Sequence, residues 1–280
     1  MAAPEQLEVA GLNWRVFGIG GGDTGSGRGT GTPLVVLHGL FGAGDNWRSQ
    51  AQELASGRPV LVPDMPNHGT SAHTEDMDYA AVAARIWEAL DAMPQMIGLS
   101  GESYAILGHS MGGKAAMAMA FARPEATERL IVADIAPRRY PPRHEEIFAA
   151  MEAVAAAGVA RRGEADRVME PYIPEKPVRL FLLKSLVPAG DGDGYRWQLN
   201  LEGLRRSYDA ISDWPFTDER YGGPALFVTG GASPYVSERD HPAISAHFPE
   251  ARIETIPGVG HWLHAEARDS FVEIVRDFLS

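Results

Sequence analysis

The segment Tyr104-Ala105-Ile106-Leu107-Gly108-His109-Ser110-Met111-Gly112 narrows the fold more than any other stretch of the chain. An apolar run of strand length ends at a glycine, a serine stands two residues on, and a second glycine two residues after that. Glycines at this spacing let the backbone turn sharply and approach neighbouring elements where a Cβ would collide. Met111 to Arg123 is rich in good helix formers, and Pro124 stops the run. Strand, tight turn and helix in that order leave Ser110 at the tip, its hydroxyl exposed at a helix start. Ser110 is therefore a candidate nucleophile. The bland alternative is a structural turn, and the flanking strand and helix weigh against it.

The surrounding pattern is α/β. Residues 5–19 read as two short strands. Buried apolar runs follow at Pro33–Leu37, Pro59–Pro63, 104–108, Leu130–Ala133, Pro224–Thr229 and Arg252–Ile256. Between the second and third of these, Val82, Ile86, Leu90 and Met93 recur at helical spacing among charged residues over 78–93. Buried runs alternating with amphipathic helices predict a mostly parallel central sheet with helices on both faces. From Pro137 to about Pro215 the rhythm changes to helices, at 144–158, 160–172, 178–186 and 201–212. This predicts a helical cap (137–215) inserted into a core formed by residues 1–136 and 216–280. The Gly-rich stretch Gly20–Gly31 lacks G-K-[ST] and a strand–helix setting, so it reads as a flexible hairpin loop and not a phosphate site.

Composition removes several classes of function. The net charge of −12 argues against nucleic acid and anionic membranes as partners. The chain has no cysteine, which excludes thiolate catalysis, disulfides and cysteine metal sites. Its histidines show no H-E-x-x-H spacing, so neither a metal nor another cofactor is expected. The N-terminus lacks the basic and apolar regions of a signal peptide, and no run of about 18 apolar residues is present. A cytoplasmic protein acting on a small molecule is expected; no sequence feature speaks to oligomeric state.

A serine hydroxyl is a poor nucleophile at neutral pH and needs a base that is itself oriented by a third group. In α/β sheets the reactive groups lie at the carboxyl ends of the strands. That rule selects His261, just past the last strand, as base. His264, three residues on, is its competitor and reads better as support for the loop. His109 is expected to point into packing, His68 to serve a turn, and His73, His144, His241 and His247 to be surface or packing residues. An oxyanion hole requires two convergent N–H donors. Met111, after the nucleophile, is one. The turn His38-Gly39-Leu40-Phe41 supplies the other, with Leu40 favoured and Phe41 the alternative; His38 is expected to brace that turn.

These residues carry a resemblance. His38-Gly-Leu-Phe-Gly-Ala-Gly-Asp-Asn-Trp47, Asp64-Met-Pro-Asn-His-Gly-Thr-Ser71, Gly108-His-Ser-Met-Gly-Gly-Lys114, Ala133-Asp-Ile-Ala-Pro137, Gly230-Gly-Ala-Ser-Pro-Tyr-Val-Ser237 and Gly260-His-Trp-Leu-His-Ala-Glu266 make the chain similar to the α/β-hydrolases of the small esterase/thioesterase branch, the bacterial YbfF-type esterases. The likeness spans nearly the whole chain outside the Gly-rich loop. One departure is Pro66, where the related turn often has Arg, and it places a salt bridge in question. Most α/β-hydrolases keep the triad acid after the strand that follows the cap, but here that position is Ser233. The resemblance implies Asp134 as the substitute acid, with Ser233 bonded to it or to the histidine. Strand neighbours only about 4.8 Å apart permit the exchange. Asp240 and Asp213 are the reserve carboxylates.

The remaining features read two ways. Trp262 and Phe41 line an acyl pocket or belong to the core. Lys114 sits one turn from Ser110 without Ser-x-x-Lys spacing. Arg138, Arg139 and Arg143 attract a carboxylate or a phosphate, or form a solvated face, the commoner case. The expected reaction is acyl transfer from a small ester or acyl thioester to water through an acyl-enzyme. Its rivals are carbon–carbon bond hydrolysis on the same triad and a non-catalytic binding protein, the latter favoured only by the displaced acid.

Overall fold

The computed structural model describes residues 4–19, 31–99, 102–190 and 194–280. Strands β1 (Glu5–Val9), β2 (Leu12–Phe17), β3 (Leu34–Leu37), β4 (Val60–Pro63), β5 (Tyr104–His109), β6 (Thr127–Ala133), β9 (Ala225–Gly230) and β10 (Ala251–Ile256) form one sheet in the order β1-β2-β4-β3-β5-β6-β9-β10. Two strands inside the stretch from β6 to β9, β7 (Leu186–Pro188) and β8 (Tyr195–Trp197), pair only with each other. From β4 to β10 the main sheet is parallel; β1 and β2 run antiparallel at one edge.

Helices cover both faces. Val35, Leu37, Ile106, Val132 and Phe227 pack with α2 (Tyr79–Ile97) and α3 (Met111–Ala122). The alternate residues Leu34, Val36, Leu107, Ile131 and Val228 pack with α1 (Arg48–Leu54) and α11 (Arg268–Leu279). This is the period-two alternation of a strand buried on both sides. Helix α2 starts where the Asp78 carboxylate accepts a hydrogen bond from the Ala81 amide at 2.9 Å, and ends at Gly98 in the left-handed region. Its buried stripe includes Val82, Ile86, Leu90 and Met93, the positions the periodicity selects. It runs through Pro94, four residues beyond the expected end.

Residues 137–215 contribute no strand to the main sheet. They carry α4 (Glu145–Ala157), α5 (Arg162–Met169), α6 (Lys176–Leu182), α7 (Leu201–Arg206) and α8 (Tyr208–Ser212), near the expected helices. The stretch, expected to be mostly helical without a buried strand run, also holds the short and mostly unburied β7 and β8. Each is three residues long, too short for a period-two pattern to register. The short helices α9 (His241–His247) and α10 (Leu263–Glu266) complete the chain. The hairpin expected over Gly20–Gly31 lies outside the described residues except at its last glycine. The strands that flank it, β2 and β3, do not pair with each other, because β4 lies between them. Among the described residues no helix is long and apolar enough to cross a membrane.

Candidate active site

The site is built at the carboxyl ends of β3, β5, β6 and β9. Register decides which side chains meet. His109, the last residue of β5, is opposite Ala133, the last of β6, and Ala133 is opposite Val228 on β9. Ser110 and Asp134 are the first residues beyond adjacent strands. Backbone bonds carry the ladder one step further, from the Ser110 amide to the Ala133 carbonyl at 3.0 Å and from the Asp134 amide to the Val228 carbonyl at 2.9 Å. Both residues are forced to turn abruptly, with φ of +54° and +51°. Phe41 and Asn67, in the loops after β3 and β4, also have positive φ. Apart from Ala10 these are the non-glycine residues of this kind among the described ones. Backbone strain is thus concentrated on the loops that face Ser110.

The two flanking glycines have a steric reason. A Cβ on Gly108 would lie 2.0 Å from the Gly112 carbonyl oxygen, and one on Gly112 would lie 2.3 Å from the Leu37 carbonyl oxygen. Only glycine allows α3 to start this close to β5 and β3.

Asp134 is fully buried, and its carboxylate collects three donors. The Gly230 amide reaches Oδ1 at 3.0 Å, the Ser233 hydroxyl donates to Oδ2, and His261 Nδ1 lies 2.7 Å from Oδ2. Such donors offset the cost of burying a carboxylate. With Nδ1–H committed to Asp134, Nε2 of His261 is left as an acceptor. The Tyr235 ring stacks on the His261 ring at 3.7 Å, tilted by 13°. The Tyr235 amide also donates to the Ser233 hydroxyl at 3.2 Å. Ser110 and His261 line one cavity of about 280 Å³; the Ser110 hydroxyl makes no hydrogen bond among the described residues.

The reserve carboxylates are spent elsewhere. Asp240 holds Arg138 at 2.6 Å and closes its own turn onto Ser237, and Asp213 faces Arg139 at 3.3 Å. The arginine cluster accordingly breaks up: Arg138 and Arg139 are neutralised by these partners, and Arg143 lies 5.9 Å from the Tyr235 ring centre.

Two buried histidines clamp the candidate oxyanion turn. His38 Nε2 accepts from the Met65 amide at 2.9 Å, and His68 Nε2 accepts from the Phe41 amide at 3.1 Å. Each ring bonds a backbone carbonyl through Nδ1, His38 to Gly39 and His68 to Pro66, both at 2.9 Å. The loops after β3 and β4 thus exchange one histidine each, and both rings must be neutral to accept. Burial holds both below the usual histidine range, His68 down to about 3. The clamp distinguishes Leu40 from Phe41: the Phe41 amide is taken, whereas the amides of Leu40 and Met111 have no partner among the described residues.

The other histidines divide. His109 is buried, and its Nε2 lies 2.8 Å from the His261 carbonyl, tying the end of β5 to the loop that carries His261. His264 stacks on Trp47 at 4.4 Å and is pushed down to about 3 by burial, in keeping with a supporting role. His247 is buried and bonded to the Glu219 carbonyl. His144 differs from its expectation of surface or packing. It reaches Tyr208 Oη at 2.6 Å, is pushed down to about 4 by burial, and lines the space beside Ser110.

Pro66 supplies no cation, and a buried ion pair stands nearby on the loop after β4. Arg15 on β2 meets the fully buried Asp64 at 2.9 Å and Asp45 at 3.1 Å. Lys114 serves structure as well. Its ammonium donates to the carbonyls of Ser212 and Asp213 at 2.9 and 2.8 Å, fastening α3 to the end of α8, and burial pushes it down to about 7. Trp262 and Phe41 both line the larger cavity. Sequence reasoning missed Tyr235, Tyr208 and His144 as site residues. Tyr235 stands two residues after Ser233, and that adjacency was its one available signal.

An eight-stranded, mostly parallel sheet with helices on both faces and a serine at a strained strand-to-helix turn defines the α/β-hydrolase class. A family model described as alpha/beta hydrolase fold matches residues 32–267, and the chain belongs to that family. The chain is 40% identical over 253 residues to the Escherichia coli protein named Esterase YbfF, covering 89% of this chain and 93% of that one. It is 38% identical over 255 residues to the mouse protein named sn-1-specific diacylglycerol lipase ABHD11, covering 88% and 80%. A solved structure titled Marine microorganism esterase superposes with a TM-score of 0.85 at 36% identity, covering 99% of this chain and all of that one.

Proposed function

We propose that this protein is a serine hydrolase of carboxylic esters, with Ser110 as nucleophile, His261 as base and Asp134 as acid. The observation that carries it is the 2.7 Å contact of His261 Nδ1 with buried Asp134, on a cavity that Ser110 shares. Relatives named esterase and lipase at this identity support the ester as substrate class.

The chemistry follows from the geometry. His261 Nε2 takes the Ser110 proton as Oγ attacks the carbonyl carbon. The amides of Leu40 and Met111 hold the oxyanion. The carbon–oxygen bond to the alcohol breaks as His261 returns the proton to the leaving oxygen. Water, deprotonated by His261, then releases the acid and restores Ser110. Asp134 keeps Nδ1 protonated and stabilises the imidazolium, while Ser233 and the Gly230 amide hold Asp134 in place. An acyl thioester would run through the same steps with a thiol leaving. Residues 137–215 act as a cap over the site: Ile147, Val178, Phe181 and Leu182 wall the larger cavity. The displaced acid was the ground for a non-catalytic reading, and a carboxylate bonded to His261 removes it.

The test is hydrolysis of p-nitrophenyl esters together with labelling by a fluorophosphonate. Wild type is expected to turn over and to be labelled, and Ser110→Ala to do neither. A Ser110→Ala variant with wild-type turnover would move the nucleophile elsewhere.

A further inference from the structure

Two cavities meet at Ser110, and they differ in size and in what walls them. The larger, of about 280 Å³, is lined by His261 and Trp262 and by apolar residues of residues 137–215 such as Val178 and Phe181. The smaller, of about 40 Å³, is lined by Met111, Lys114, Ile135, Tyr140 and Ile211. Leu40, Ser110, Arg143, His144 and Tyr235 border both; His261 borders only the larger.

That asymmetry assigns the two ends of a substrate. Resting on the hydrolase reading above, the geometry points to a short, uncharged acyl group in the smaller cavity and a large apolar alcohol or thiol in the larger. The leaving atom has to receive its proton from His261, so it lies on the side that His261 borders. The acyl chain, fixed at its carbonyl by Ser110 and the amides of Leu40 and Met111, runs the other way.

Size then limits the acyl group. The smaller cavity has room for roughly three water-sized groups, which suits acetyl to propionyl. Most of its buried polar groups are committed to the protein, while Arg143, on the border of both cavities, is exposed. Lys114 bonds two carbonyls, Tyr79 Oη donates to the Ile211 carbonyl at 2.6 Å, and Tyr140 Oη donates to the Tyr235 carbonyl at 2.6 Å. Tyr208 Oη is held by His144 and the Arg143 amide. The surface left to an acyl group is mainly hydrocarbon and aromatic, with Arg143 at its border. The larger cavity holds several times more, with aliphatic and aromatic walls that reward an extended apolar leaving group.

Two ester series on wild-type protein separate the ends. With p-nitrophenol as constant leaving group, kcat/KM is expected to fall about tenfold or more from acetate to octanoate. With acetate as constant acyl group, kcat/KM is expected to rise from ethyl through butyl to octyl ester. Ile211→Ala enlarges the smaller cavity and is expected to raise the octanoate-to-acetate ratio about tenfold; the wild-type series decides even if that variant does not fold. Octanoate processed as fast as acetate by wild type, or an unchanged ratio in folded Ile211→Ala, overturns the partition and leaves the hydrolase reading intact. No turnover in either series, with no fluorophosphonate labelling of Ser110, overturns both.

Discussion

The loops that close on Ser110 from its two sides are held by opposite means. The turn after β3, which carries Leu40, is clamped by two neutral imidazoles exchanged with the loop after β4, and further along its loop the Gly44 amide donates to Asp64, a carboxylate paired with Arg15. The turn after β6 is organised around a charge, the buried Asp134 carboxylate with three donors on it. A charge is needed where imidazolium develops, and is harmful where a negative oxygen must be received. Neutral acceptors hold the turn that carries Leu40, and the buried anion beside it, Asp64, is paired with Arg15 at 2.9 Å. The consequence is an asymmetry in what each side tolerates.

The largest expected break is Asp134→Asn. It preserves shape but removes the charge and favours the wrong tautomer of His261, so kcat is expected to drop by roughly 10³–10⁴ with little change in KM. Steady-state kinetics on p-nitrophenyl acetate checks it; a drop below tenfold would hand the acid role to another carboxylate.

On the neutral side, His68→Ala leaves the Phe41 amide and the Pro66 carbonyl without partners. A turn free to rotate misplaces the Leu40 amide, and kcat is expected to fall about 10²-fold with KM nearly unchanged. His68→Gln, whose carbonyl can accept the same amide, is expected to recover part of the loss. Equal losses in kcat and in binding of a ground-state ester analogue would reduce His68 to packing.

Acid sharpens the contrast further. The unfolded chain protonates its histidines near pH 6.5, whereas burial holds His68 and His264 down to about 3 and His109 well below its ordinary value. Between those limits the unfolded state binds more protons. The stability these neutral rings contribute is therefore complete above pH 6.5 and lost as pH falls, for His68 and His264 towards about 3 at about 1.4 kcal/mol per pH unit for each ring, with His109 acting in the same direction. Thermal unfolding between pH 7 and 4 is expected to show this slope, and a shallower one in His68→Ala.

The smallest effect belongs to Ser233→Ala. Asp134 keeps the Gly230 amide and His261, and of the two hydrogen bonds lost with the hydroxyl only the one to Asp134, worth about 1 kcal/mol, bears on the carboxylate, so kcat is expected to fall less than tenfold. A loss as large as that of Asp134→Asn would make Ser233 an equal partner in the reaction.

Much of this was legible in the chain. The apolar runs mark the main-sheet strands because a strand buried on both faces has no polar alternation to hide it. Gly108 and Gly112 mark the turn because no other residue fits there. Ser110, Met111 and His261 are tied to strand ends and so could be placed by counting along the sequence. What sequence left open depends on which strand ends are neighbours in space. Asp134 rather than Asp213 or Asp240 meets His261 because β6 lies between β5 and β9, an order no sequence distance encodes. Arg15 meets Asp64, 49 residues away, because β2 pairs with β4. The amide of Phe41, but not that of Leu40, is engaged by a histidine 27 residues away. The partition of space around Ser110 is drawn by Tyr140, Ile211 and Tyr235 from three separate segments. Local chain chemistry dictated the elements and their reactive tips; the order of strands and the packing of residues 137–215 dictated which tips meet, because those distances exist only after the sheet has formed.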